Sequence, residues 1–102
     1  MLARYILMKW EHMKGNNWWL DSTIAQAEML IRQYAVASDL MKKALTWHAN
    51  SISVFELQTT EHQIKEYLKV IGQYDNREKQ LLEPIRSHAL YKKAAELNIN
   101  VI

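Results

Sequence analysis

Apolar residues recur at alternating spacings of four and three from Leu20 to Phe55, namely Leu20, Ile24, Ala27, Ile31, Tyr34, Ser38, Met41, Leu45, His48, Ile52 and Phe55. Only Ser38 and His48 are polar. The spacing returns each side chain to one side of an α-helix and is foreign to a strand, whose faces alternate. No Gly or Pro lies between Asn16 and Ile71, so no backbone breaker forces this stretch out of helix.

Set as heptads, Ile24, Ile31, Ser38, Leu45 and Ile52 fall at position a, and Ala27, Tyr34, Met41, His48 and Phe55 at d. Leu30, Ala37, Ala44 and Ser51 fall at g, and Leu40, Trp47 and Val54 at c, which widens the apolar arc to roughly 160°. A two-stranded zipper needs a and d alone, so the pattern predicts a bundle helix touching two neighbours. Glu28, Arg32, Asp39, Lys43 and Asn50 form the expected solvent face, with Glu28/Arg32 and Asp39/Lys43 in the favourable acid-first order.

Such a helix would run ~54 Å, against roughly 33 Å for the diameter of a compact globule of this length. Either an elongated or paired bundle covers it, or it breaks at Ala37-Ser38-Asp39 or in Asn50 to Ser53. The second break is favoured, because Ser53 with Glu56 has the form of a capping box.

The flanking chain predicts shorter helices. Leu2 to Lys14 carries Leu2, Tyr5, Ile6, Met8, Trp10 and Met13 and stops at Gly15-Asn16-Asn17. A third helix begins at 53 or 60, where Thr60/Gln63 is a second candidate capping box, and ends before Gly72. A fourth is expected from about 76 to 97, started by Asp75/Glu78 and weakened by Pro84, which removes one helical hydrogen bond. The expectation is an all-α fold and a single domain, 1–102: a small bundle of three to four helices around one long central helix.

With 49% hydrophobic and 24% charged residues, the composition is that of a folded domain. The absence of cysteine removes disulfides and thiolate chemistry. The first residues offer an apolar run too short for a signal segment or a span, so a cytoplasmic location is expected. The net charge of +2 is too small and diffuse to demand a polyanion.

Candidate chemistry is sparse, and no catalytic, cofactor or metal site is expected. His12, His48, His62 and His88 lie in four separate segments, without the Glu-x-x-His element of bundle di-iron sites. Arg86-Ser87-His88 fails the Arg-to-His spacing of helical RNases of the HEPN type. No Gly-rich phosphate loop occurs. His48 reads first as a partly exposed group near a helix end making one bond to a neighbouring helix, and Ser38 as a serine that bonds back to the carbonyl four residues earlier or marks a bend.

Aromatic residues carry the stronger signal. Trp10, Trp18 and Trp19 cluster around the first loop. Adjacent helical tryptophans point ~100° apart, so Trp18 and Trp19 cannot both enter one core: either the two rings seal the end of the bundle from two sides, or one is exposed as a contact anchor. A membrane-surface role for 1–19 ranks below this, because Glu11 and Asp21 dilute its basic charge. The alternating tail, with Ile99, Val101 and Ile102, offers a second contact by strand addition or by tucking into the bundle. The predicted function is protein binding by Trp10, Trp18, Trp19, Ile99, Val101 and Ile102, as in an inhibitor, immunity, adaptor or assembly subunit of the kind phage and mobile elements carry. Self-association through the long helix is a further expectation. The alternative is a nucleic-acid accessory using Lys42, Lys43, Arg86, Lys92 and Lys93, diluted by nearby acids. In size, charge and expected helix number the chain resembles class IIa bacteriocin immunity proteins, a likeness of architecture that assigns no residue a role.

Overall fold

The structure, a computed structural model, describes residues 2–99, apart from the side chains of Leu2 and Glu11. Among these are six α-helices: α1 (Leu2–Trp10), α2 (Trp18–Leu30), α3 (Tyr34–Trp47), α4 (Val54–Val70), α5 (Tyr74–Arg86) and α6 (Ala89–Glu96), with a 3-10 turn at Glu11–Met13 after α1. None of the described residues is in a strand.

The all-α expectation holds, but the long central helix does not exist and the bundle has more helices than expected. α2 stops at Leu30, and the chain reverses through Ile31, Arg32 and Gln33. Arg32 takes a left-handed conformation (φ 68°). Its N–H donates to the Met29 carbonyl (2.9 Å), and that of Gln33 to the Glu28 carbonyl (2.8 Å). This crossed pair is the Schellman ending, which satisfies carbonyls that a helix terminus leaves open. It is normally marked by Gly or Asn, so an Arg in its place gave no warning in the sequence. α4 ends the same way at Gly72 (φ 70°), with Gly72 N–H on Lys69 O (3.1 Å) and Gln73 N–H on Leu68 O (2.8 Å).

The second expected break is present. α3 ends at Trp47, and Ser53 caps α4 through a reciprocal capping box: Glu56 N–H donates to Ser53 Oγ and Ser53 N–H to Glu56 Oε1, both at 3.1 Å. Thr60, the alternative start, is buried inside α4. Asp75 and Glu78 form no capping box, since α5 starts at Tyr74 without a side-chain cap. The last expected helix is two: α5 passes through Pro84 and ends at Arg86, and His88 caps α6 by accepting the Leu90 N–H on Nδ1 (3.2 Å).

The resulting plan is two helical hairpins, α2–α3 and α4–α5, turned by Ile31-Arg32-Gln33-Tyr34 and Ile71-Gly72-Gln73-Tyr74, forty positions apart. α3 packs on α5 in parallel. The Arg77 guanidinium lies 4.3 Å above the Tyr34 ring, and about one turn on, Ser38 Oγ donates to the Gln80 carbonyl (2.9 Å) of α5, neither bonding back within its own helix nor marking a bend as expected. α1 covers α2, and α6 packs mainly on α4 and α5. The radius of gyration is 13.1 Å and the extents are 40 × 31 × 21 Å, as expected of a compact chain of this length.

The seam found in the sequence still marks the core, because both helices of an antiparallel hairpin face the same interior. Leu20, Ile24, Ala27, Tyr34, Ser38, Met41, Leu45 and Ile52 are buried, and only Phe55 at its end is exposed. α2 is enclosed on most sides, so Glu28, expected in solvent, is buried, whereas the Asp39–Lys43 pair forms on the surface (2.9 Å).

Candidate protein-binding groove

α2 and α4, the first helices of the two hairpins, meet only loosely. They are bridged near mid-length by Gln26 Nε2 donating to Gln63 Oε1 (3.2 Å). With α1 as the other wall, this leaves a groove of about 330 Å³ along α2. Its floor is Ser22, Thr23, Gln26 and Ala27, with Trp19 at one end and Leu30 at the other. The α4 wall is Phe55, Thr59, Gln63 and Tyr67, a stripe at four-residue spacing, and the α1 wall is Ala3 and Ile6.

Local hydrogen bonds decide how polar this surface is. Ser22 Oγ (3.1 Å) and Thr23 Oγ1 (2.8 Å) both donate to the Trp19 carbonyl, so the floor shows mainly carbon. Glu56, the acid in the lining, is held back on its own helix cap. Aromatic rings stand out into solvent at the rim, with Trp19 62%, Phe55 54% and Tyr67 39% exposed. Single exposed apolar residues are ordinary, whereas rings gathered on one concavity are the usual mark of a contact surface.

The adjacent tryptophans separate as their helical geometry requires. Trp18 is 5% exposed and sits in the core, while Trp19 meets half-buried Trp10 in a tilted contact, ring centroids 6.1 Å apart and planes at 52°. Trp19 and the buried Trp18 both line the groove, while Trp10 reaches it only through its contact with Trp19. Ile99 lies elsewhere, its carbonyl accepting from Gln58 Nε2 (2.9 Å), behind a left-handed Asn98 that closes α6. Val101 and Ile102 lie outside the described residues. Phe55, Thr59, Gln63 and Tyr67 escaped sequence reasoning because their spacing also fits a core stripe, and nothing local shows that α2 and α4 splay apart.

The basic residues do not converge. Lys43 pairs with Asp39, and Lys92 and Lys93 are exposed on α6. Arg86 is held by Glu61 (Nε, 2.8 Å) and Glu78 (Nη1, 2.8 Å), and Tyr91 also donates to Glu61 Oε2 (2.6 Å). Burial pulls Arg86 down, but the two carboxylates outweigh it and hold the guanidinium above its ordinary value. This network joins α4, α5 and α6 and occupies the cation a phosphate would need.

A second polar cluster ties the first loop to the core. Asp21, fully buried at the start of α2, accepts the Gly15 N–H on Oδ1 (2.8 Å) and faces His48 Nε2 on Oδ2 (2.6 Å). The roles in this short contact follow the His48 tautomer, an Nε2–H donating to a carboxylate oxygen. The single polar bond expected of His48 is this one.

The larger trough between α3 and α5, about 980 Å³, is open, with Asp39, Lys42, Lys79 and Glu83 standing beside Ala35, Leu45 and Pro84. Among the described residues no group of three or more His, Asp or Glu is placed to hold a metal ion, and no helix is long and apolar enough to cross a membrane. No protein-family model, curated protein or solved structure matches the chain.

Proposed function

We propose that this protein is a non-enzymatic protein-binding module whose contact surface is the groove on α2 between α1 and α4, headed by Trp19. The observation that carries the reading is the gathering of Trp19, Phe55 and Tyr67 on one concavity, each more than a third exposed, while the core is complete without them. Burying these three rings against a partner would remove more apolar surface from water than the rest of the rim could. Stacked helical hairpins offer concave surfaces of this kind.

The test places a photo-crosslinking amino acid at Thr23 and compares partner capture by otherwise wild-type protein and by a Trp19→Ala version. Capture lost on Trp19→Ala, with melting temperature unchanged, supports the reading. Equal capture by both proteins overturns it. A crosslink between two copies of the chain would make the partner a second copy.

A further inference from the structure

We infer that the groove takes an extended, uncharged apolar peptide segment of about five residues, read partly through its backbone, in preference to an amphipathic helix. This inference rests on the protein-binding reading above. From Trp19 to Leu30 the floor follows eleven residue steps of α2, or ~17 Å at 1.5 Å per step, which is the length of about five extended residues. A helix is about 10 Å across with its side chains, whereas the gap between α2 and α4 is already spanned by one hydrogen bond between the Gln26 and Gln63 side chains.

The polar groups of the lining discriminate further. Gln26 and Gln63 use one half of each amide on each other, which leaves Gln63 Nε2 and Gln26 Oε1 as a donor and an acceptor of peptide-like geometry. Thr59, in the same wall, has a buried hydroxyl without a partner, which a χ1 rotation would offer to an occupant. A bound helix satisfies its own backbone and would cover these groups unpaired, at a cost. An extended chain presents N–H and C=O along its length to meet them. Charge agrees: with Glu56 held on the α4 cap, no free charge in the lining awaits a counter-ion, so a charged side chain would lose hydration without compensation. Ala3 and Ile6 opposite offer purely apolar contact to alternate side chains.

The experiment selects binders from a random twelve-residue peptide library displayed against the intact protein, keeping those that fail to bind a Thr23→Arg variant of unchanged melting temperature. The expected peptides contain an uncharged run of about five residues. A lactam bridge between positions i and i+4, which enforces helix, should lower their affinity at least tenfold. Gln26→Met/Gln63→Met, which removes both amides together, should weaken them about tenfold. Selected peptides with helical apolar spacing that bind more tightly when bridged, and that ignore the Gln substitutions, overturn this inference while leaving the protein-binding reading intact. Failure to recover any peptide sensitive to Thr23→Arg overturns both.

Discussion

Ser38 Oγ on α3 donates to the Gln80 carbonyl on α5 at 2.9 Å, and Gln80 is the residue whose helical donor Pro84 removes. A proline at position i lacks the N–H that the carbonyl at i−4 expects. The serine that interrupts the apolar seam thus repairs the proline that interrupts α5. Ser38→Ala should cost about 1 kcal/mol by leaving that carbonyl without a donor. Pro84→Ala restores the helical donor, so in its background the cost of Ser38→Ala should shrink. Urea unfolding of the four proteins of this cycle checks the coupling, and additive effects would refute it.

The two adjacent tryptophans should behave oppositely. Trp18→Ala empties a core site and should cost about 3 to 5 kcal/mol, lowering the thermal midpoint sharply. Trp19→Ala removes a mostly exposed ring, should change stability by well under about 1 kcal/mol, and should abolish partner capture. Calorimetry and the crosslinking assay separate the two outcomes.

Arg32 bears a left-handed strain that Gly72 avoids at the equivalent turn. Arg32→Gly should stabilise the protein by about 0.5 to 1 kcal/mol, the relief being reduced by the greater freedom of glycine in the unfolded chain. Gly72→Ala should destabilise by about 1 kcal/mol through the same backbone penalty. A rise of a few degrees in thermal midpoint for the first, and a fall for the second, is the expected reading.

Asp21 holds the first loop closed. His48→Ala removes one of the two partners of a fully buried carboxyl group and should cost about 1.5 to 3 kcal/mol. Asp21→Ala also frees the Gly15 N–H, and limited trypsin digestion should then cut at Lys14 much faster than in the wild type. Unchanged digestion would show that the loop is held by other contacts.

The network around Glu61 makes stability depend on pH at both extremes. Burial raises Tyr91 above its ordinary 10.0, and its bond to Glu61 adds to this. A group raised in the folded state contributes stability below its unfolded value and loses it as pH rises through the folded value. The advantage of wild type over Tyr91→Phe should therefore be constant between about pH 6 and 9 and shrink above about 10. The hydrogen bond from Arg86 lowers Glu78 below its ordinary 4.5. Its contribution is present above that value and lost on acidification through the lower folded value, so wild type and Glu78→Gln should converge in acid. Chemical denaturation across pH tests both limbs.

Helicity, the capping box at Ser53/Glu56, the stop at Gly72 and the inward face from Leu20 to Ile52 were all legible in the sequence. The chain reversal at Arg32 was not. Periodicity reports which side of a helix faces the core, and a rod and a tight hairpin share that periodicity when the turn lacks Gly, Asn or Pro. The resemblance between the two hairpins was also hidden, because it is concentrated in the turn tetrapeptides while the helices diverge. The cluster of Trp10, Trp18 and Trp19 could be singled out from position alone, but not which of Trp18 and Trp19 is buried. The wall from Phe55 to Tyr67 could not, because its exposure follows from the distance between α2 and α4, a property of tertiary packing.

The brevity of the turns at Arg32 and Gly72 bears on how quickly the chain finds its native state. Each brings together helices that are neighbours in sequence, so little loop-closure entropy opposes forming either hairpin. Docking α3 on α5 then joins two units already formed. A helical chain with such local connections should refold on a microsecond to millisecond timescale, and Ser38 meets Gln80 only when the two halves assemble.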